Sequence, residues 1–470
     1  MTIPRILPRA EHPISRGYID PDALRVLYRL HRAGYKGFLV GGSVRDLMTG
    51  RTTKDFDIGT DARPQEIRRL FRNSRIIGRR FRLVHVLFDG GKVIEVSTFR
   101  KRPELPDAEL RPEGDEDLLI RSDNTFGTPE EDAVRRDFTI NGLFYDIATY
   151  SVLDYVGGVD DLERRIVRTI GDPLIRFRED PVRMLRACEF AARLKFRMDP
   201  DLVAAIGELK SELRKSAAPR VTEEMLDPLR RGWGHDTYRL WADTHLLGVI
   251  LSELSDAVGT REAPFAPLFW KMLRDVDERR DAGEKPGDPV LLSVLFLPLV
   301  LSAIRQRGKG GRVDASQILL VLENVVNPLA ARMSLPNLAT HLVKQVLYTL
   351  GALTSTPPDH PAARRLVTRS WFPDSLALLS LYSKASGRYH EAAAAWSEVL
   401  SRAGRQPGDA PRPLAVPAPF PEALVPPLAL LRAHGEAPVI PLPDEAVAPP
   451  RRRRRRRRGR GRAAAGGPSS

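Results

Sequence analysis

A single cysteine, Cys188, stands in 470 residues, which excludes an internal disulfide and any multi-cysteine zinc site. Its neighbours Ala187, Phe190 and Ala191 mark it as a small core residue. Long apolar runs are also missing: none approaches the ~20 residues that a membrane-crossing helix requires. Met1 to His12 has no apolar core of the signal-peptide kind, so the expected location is cytoplasmic, with no membrane association. The nine histidines are scattered. His235-Asp236 has only His245 close behind it, too few ligands for a metal dyad of the kind that phosphohydrolases use.

The chain does have a soluble-type composition, 42% hydrophobic and 29% charged, over a length that suits two to four domains. The net charge is +14, but ten of the positive charges are arginines between Arg451 and Arg462, in a tail without acids. The rest of the chain is only mildly basic, at about +4. A polyanionic partner fits that balance, with its strongest signal in one low-complexity segment. No internal repeat is evident.

Between residues 36 and 160, short apolar runs alternate with helical patterns. Phe38 to Val40 predicts a strand, Ser43 to Met48 a short helix closed by Gly50, and Asp55 to Ile58 a second strand. Pro64 opens a helix through Phe71. Arg82 to Phe88 and Lys92 to Phe99 flank Asp89-Gly90-Gly91, a hairpin signal because glycine tolerates positive φ. Residues 103–117 read as a mobile loop. From about 175 the pattern is helical, with Asp180 as N-cap and Pro181 at the first position of a helix reaching Lys195. Residues 405–450 are dense in Pro and Ala, a linker in which Ala423 to His434 is a candidate last helix. The Arg/Gly/Ala/Ser end lacks the apolar surface to fold alone.

Five clusters carry chemistry. Gly41-Gly42, between strand and helix, lets backbone N–H groups approach a phosphate, with Arg45 within reach of it. No Gly-Lys-Ser/Thr comes after it, so it is not a P-loop; a plain strand-to-helix turn is the alternative. Asp55 and Asp57, two apart on a strand, share a face and raise each other's pKa unless a cation sits between them. Magnesium suits such a pair together with substrate phosphates, and a solvated strand edge is the bland alternative. Glu95 lies in a strand that otherwise reads as buried, so it needs a metal or an arginine such as Arg100. Arg135-Arg136-Asp137-Phe138-Thr139-Ile140-Asn141 resembles a polar network suited to phosphate or a base edge, or else a salt-bridged helix start. Glu179-Asp180-Pro181-Val182-Arg183-Met184-Leu185-Arg186 places Arg183 and Arg186 on one face near a helix N-terminus, where a ligand or a carboxylate must offset them.

In this order, Leu39 to Asp46, Lys54 to Ile58, Arg135 to Asn141 and Glu179 to Arg186 resemble the class II branch of the polymerase-β-like nucleotidyltransferases. That branch holds bacterial poly(A) polymerases and CCA-adding tRNA nucleotidyltransferases. Ile77 to Val86, Asp123 to Thr128, Glu131-Asp132-Ala133, Asp154 to Gly158 and Pro219 to Tyr238 resemble the poly(A) polymerase side, as does a basic C-terminal extension. The homopolymeric arginine tail departs from the family pattern, so its role is not carried over.

The resemblance implies an α+β chain: a mixed-sheet catalytic head over 25–170, then a helical neck for nucleotide and RNA over 171–260. It further implies a helical RNA-binding body over 261–404, to which composition adds the linker over 405–450 and a disordered tail over 451–470. The implied activity is template-independent transfer of AMP from ATP to the 3′ ends of mRNA and other transcripts, by a monomer and with a role in RNA decay. The alternative is CCA or A addition to tRNA. Asp55 and Asp57 would bind two Mg²⁺ ions, with Mn²⁺ as a substitute. Gly41, Gly42 and Arg45 would cradle the triphosphate, with Arg136, Asn141 and Arg186 beside it. Asp180 and Arg183 would read the adenine edge. Asp137 matches an active-site position, and Glu95 competes with it as third carboxylate. Arg451, Arg452, Arg453, Arg454, Arg455, Arg456, Arg457 and Arg458 are candidate RNA contacts.

Overall fold

Alternating apolar residues in the first third of the chain build one eight-stranded sheet. Its strands are β1 (Arg5–Leu7), β2 (Gly37–Val40), β3 (Asp57–Thr60), β4 (Ser74–Ile77), β5 (Leu83–Leu87), β6 (Val93–Thr98), β7 (Leu143–Asp146) and β8 (Ser151–Asp154). The computed structural model describes residues 3–53, 55–78, 82–101, 125–260, 263–307, 314–360 and 365–403. The loop expected over 103–117, the linker and the arginine tail lie outside the described residues.

The sheet order is β1-β8-β7-β2-β3-β6-β5-β4. Only β3 and β6 run parallel; the other neighbours are antiparallel. β2 is buried along its whole length between β3 and β7, as its unbroken apolar sequence requires. The hairpin joining β5 to β6 is present, with Gly90 at φ 73° and Gly91 at φ 77°.

The strand expected at Asp55–Ile58 begins two residues later, at Asp57. The reason is register. Val40, the last residue of β2, pairs with Asp57; beyond it the chain leaves the sheet at Gly41, so on the β2 side Asp55 has no strand beside it. The sheet therefore carries Asp57 at its rim, while Asp55 lies just ahead of it.

Helices α1 (Pro21–Arg32), α2 (Gly42–Met48), α3 (Pro64–Leu70), α4 (Pro129–Arg135) and α5 (Gly158–Arg164) complete the head. A parallel two-residue pairing of Ile166–Val167 with Arg197–Met198 ties the sheet-bearing part, the head, to the helices that follow it, the neck. Helices α6 (Pro173–Glu179), α7 (Val182–Leu194), α8 (Pro200–Leu209), α9 (Ala218–Arg231), α10 (Gly234–Asp243), α11 (Leu246–Ile250) and α12 (Ser252–Val258) form that neck. The remainder holds α13 (Ala266–Asp281), α14 (Asp288–Arg307), α15 (Ala315–Arg332) and α16 (Asn337–Ser355), then helices Phe372–Ser386 and His390–Ala403.

The N-cap expected of Asp180 is absent. Pro181 precedes the first turn of α7 and no side chain caps it. Asp180 ends α6, and its carboxylate turns instead to Arg220, whose Nη2 donates to Oδ2 at 2.6 Å. Against the expectation that no apolar run approaches membrane-span length, α14 is long and apolar enough to cross a membrane by length and composition alone. It is the central helix of the body, packed against α12, α13, α15 and α16.

One hydrophobic core runs from Leu7 in the head to Trp396 in the last helix. A smaller cluster of Phe38, Val40, Phe99, Ala133 and Phe144 is built on the alternate residues of β2 and β7, on the opposite face of those strands. Cys188 is wholly buried, and burial pushes its thiol up to about 12, as a core cysteine should be.

Candidate active site

The site begins where β2 ends. Gly41 adopts φ 68° and ψ −129°, a conformation that favours glycine, and a Cβ there would meet Arg136 Nη1 at 2.8 Å. α2 then starts at Gly42 with no side-chain cap, which leaves its first N–H groups without side-chain partners. These glycines line a cavity of about 490 Å³ between head and neck. The same cavity is lined by Arg45, Asp55, Asp57, Arg136, Asp137, Asn141, Asp180, Arg183 and Arg186. Segments far apart in the sequence, from Gly41 to Arg186, thus meet in one place.

Asp57 opens β3, flanked by Val40 on one side and Glu95 of β6 on the other. Burial, then the charge of Glu95, then that of Asp55 push its carboxyl up to about 6, with Arg136 opposing them. Asp55 is the exposed member: 81% of its side chain is open, and Arg231 Nη1 approaches it at 3.8 Å. A carboxyl so crowded by negative neighbours is a site that a cation would relieve. Two carboxylates beside room for a phosphate chain match the donor set magnesium takes. Among the described residues, no group of three or more His, Cys, Asp or Glu side chains converges at metal-binding spacing.

The expectation of a buried Glu95 does not hold. Half of its side chain is exposed, on the outward-facing positions of β6, and it pairs with His85 Nε2 at 3.0 Å. It touches Asp57 electrostatically but does not line the cavity.

Asp137 is engaged on both oxygens. Arg186 donates through Nε and Nη2 to Oδ2 at 3.0 and 2.9 Å, while Asn141 Nδ2 and the Phe138 amide donate to Oδ1 at 2.9 and 2.8 Å. Burial works against its charge, but Arg186, Asn141, Arg183 and that amide outweigh it and hold Asp137 at about 2. Arg186, in turn, is desolvated yet kept firmly charged by Asp137 and by Glu224 of α9.

Arg45 does not extend freely toward the cavity. It is 2% exposed and donates to Asp46 Oδ1 at 2.9 Å and to Asn141 Oδ1, with its guanidinium 5.0 Å from the Phe190 ring centre. Its Nη2 lies directly under Gly42, 3.3 Å from where a Cβ would be. Arg183 donates to the Arg176 carbonyl at 3.1 Å and to Glu179 at 3.3 Å, with Nε 3.9 Å from Asp180.

Several residues of the site are not among the candidates read from the sequence. Asp132 of α4 is buried and receives both Arg135 and Arg136, at 3.0 and 2.8 Å. Arg176 of α6 is buried and donates to the Arg135 and Arg136 carbonyls, pinning that loop to the neck. Arg193 bridges from α7 to Asp46 at 2.7 Å. Arg220, Asp227 and Arg231 of α9 close the neck wall. The signal available for α4 was its capping box, Thr128 with Glu131; no local pattern marks the others. His235 and Asp236 pair with each other, and Lys195 takes Asp236, so that dyad is an ordinary polar cluster.

Comparison with known proteins agrees with this geometry. Residues 37–168 match the family model of the poly A polymerase head domain, and residues 195–258 match that of the probable RNA and SrmB-binding site of polymerase A. The chain is 39% identical to poly(A) polymerase I of Escherichia coli (strain CFT073) over 345 residues, 73% of this chain and 74% of that one. It is 36% identical to the CCA-adding enzyme of Lactobacillus helveticus over 240 residues, 51% of this chain and 56% of that one. Among solved structures, the Bacillus stearothermophilus CCA-adding enzyme in complex with CTP superposes with a TM-score of 0.55 at 25% identity, covering 82% of each chain.

Proposed function

This chain belongs to the poly(A) polymerase I family, and on that premise we propose that it adds AMP from ATP to RNA 3′ ends without a template, releasing pyrophosphate. The observation that carries this reading is the single cavity in which the glycine turn, the Asp55–Asp57 pair and the Asp180–Arg183 pair meet.

Each residue has a role in that reading. Asp55 and Asp57 would hold two Mg²⁺ ions, or Mn²⁺ in their place. When bound, the metal supplies a lowered pKa for the attacking 3′-hydroxyl and charge neutralisation for the leaving pyrophosphate. Gly41 and Gly42 bring bare backbone against the triphosphate, and Arg136 and Arg186 supply positive charge beside it. Arg45 acts from beneath, holding Gly42 and Asn141 in place. Asp137 positions Arg186 and Asn141, because neither of its oxygens is free for a cation. Asp180 accepts from the adenine N6 amine and Arg183 donates to a ring nitrogen, so one fixed pair selects the same base at each addition.

The same reading divides the chain into a head (25–170), a neck (171–260), an RNA-holding body (261–404), a linker (405–450) and a tail (451–470). It places a monomeric enzyme in the cytoplasm, acting on mRNA and other transcripts that enter decay. Addition of CCA to tRNA is the second reading, supported by the shared fold, although the CCA-adding relative matches less of the chain than the poly(A) polymerase does.

Purified protein, Mg²⁺ and each single NTP, offered with a generic RNA or with a tRNA lacking its CCA end, separates the two. Long tails from ATP alone on the generic RNA are expected. Incorporation of two CMP residues confined to the tRNA would replace this reading with the second.

A further inference from the structure

Glycine turn and base-reading pair account for the nucleotide, but the reaction has a second partner, the RNA end. Its 3′-hydroxyl must arrive at Asp55 and Asp57, and the phosphodiester that precedes the last nucleotide must then lie one nucleotide away. The head wall of the cavity is occupied by the groups that face the triphosphate. The neck wall is where the primer has to enter.

Three arginines of that wall are committed to holding the site together. Arg186 is bound to Asp137, Arg193 bridges to Asp46 while lying 5.0 Å from the Trp233 ring centre, and Arg220 is bound to Asp180. Arg231 differs. Its Nε is anchored by Asp227, one turn back on the same helix, at 2.8 Å. Its outer Nη1 reaches across to Asp55 at 3.8 Å, and the side chain, 46% exposed, lines the cavity. The base of this arm is rigid: Gly232, next in the chain, sits at φ 94°, where a Cβ would meet Arg280 of α13 at 2.9 Å. The end of α9 is therefore seated on α13, and its negative pole favours a cation there.

We propose that Arg231, steadied by Asp227, binds the last phosphodiester of the RNA primer. This rests on the reading that the cavity extends RNA ends. Without RNA, Asp227 and Asp55 share the guanidinium charge. With RNA bound, the outer edge of the fork turns to the phosphate, for which its planar geometry is suited, and Asp55 is released to the cation side of the site.

The test uses full-length protein, the Arg231→Gln and Arg231→Lys variants, and a fluorescent single-stranded oligoadenylate with a free 3′-hydroxyl. RNA affinity is read by anisotropy without ATP at several salt concentrations, ATP affinity by calorimetry without RNA, and KM for RNA by AMP incorporation. Arg231→Gln should weaken RNA binding and raise KM for RNA about tenfold, lower the salt slope by about 0.7, and leave ATP affinity unchanged. Arg231→Lys should recover part of the loss. A primer whose last linkage is an uncharged methylphosphonate should bind wild type about tenfold more weakly and cost the Gln variant nothing further.

Unchanged RNA affinity and salt slope in Arg231→Gln, at an unchanged melting temperature, would overturn the proposal. So would weakened ATP affinity with RNA affinity intact, which would move Arg231 to the triphosphate. Wild-type protein that binds RNA but incorporates no nucleotide would overturn the reaction and leave this contact to be judged by the binding arms. Failure to bind RNA at all would overturn both.

Discussion

Asp57 concentrates the electrostatic tension of the site. Burial, Glu95 and Asp55 raise its carboxyl to about 6 in the metal-free protein. A raised folded-state pKa means that this group favours folding fully below the ordinary carboxylate pKa and loses that contribution as pH rises through about 6. Magnesium should reverse that loss, so its effect on the melting temperature should be larger at about pH 8 than at about pH 5, where a proton competes for the carboxylate. Asp57→Asn should abolish the pH-dependent part of this shift and lower AMP incorporation by roughly a hundredfold or more; activity within tenfold of wild type would remove Asp57 from the metal site. Asp137 is the contrasting case, with its pKa depressed to about 2. Its contribution to stability is present above the ordinary carboxylate pKa and disappears as pH falls toward 2. Asp137→Asn should raise KM for ATP through Arg186 and leave the magnesium-induced melting shift intact. Loss of that shift would instead make Asp137 a ligand.

At the scale of elements, the junction of β2 and α2 puts bare backbone at the edge of the cavity. Its geometry tolerates no side chain, since Gly41 combines φ 68° with Arg136 Nη1 at 2.8 Å from any Cβ. Gly41→Ala should cost about 1–3 kcal/mol in stability from backbone strain and displace Arg136, so thermal melting and KM for ATP should both shift. A variant that melts and binds ATP like wild type would show that the turn can relax. The strand ends were less legible than the turn. Asp-Phe-Asp-Ile reads as one alternating strand, but pairing stops where β2 stops, so Asp55 lies outside it. Asp180 shows the same limit. Its place before a proline gives a sound local N-cap pattern, and the carboxylate is claimed by Arg220, forty residues away in sequence. Local pattern cannot register a partner that distant.

At the scale of the whole molecule, head and neck are held together through the site itself. Asp46 joins Arg45 of the head to Arg193 of the neck, and Asp137 joins the head to Arg186. The two walls of the cavity are thereby tied into one unit. The arginine tail belongs to this scale as well. Deleting residues 451–470 should raise KM for RNA and flatten its salt dependence, because those arginines would supply sequence-independent phosphate contacts. An unchanged KM at low and high salt would leave the tail without a part in RNA binding.

The sequence by itself determined the chemistry, because the chemical types and spacings of Gly41-Gly42, Asp55-x-Asp57, Arg136-Asp137 and Asp180 to Arg186 are local properties that survive without a fold. Apolar periodicity also marked β2, α2, α3 and the β5–β6 hairpin, though not β1, β4, β7 or β8. Only the tertiary structure decided where each carboxylate sits and what it pairs with. Glu95 reads as buried in its strand, but sheet alternation puts it on the outward face with His85. Asp137 competes for the metal on sequence grounds, but both its oxygens are filled by groups from the head and from α7. Asp132, Arg176 and Arg231 are not marked as site residues by any local pattern, and they enter the site because α4, α6 and α9 converge on it. Burial and pairing depend on neighbours distant in the chain, and packing alone brings those neighbours together.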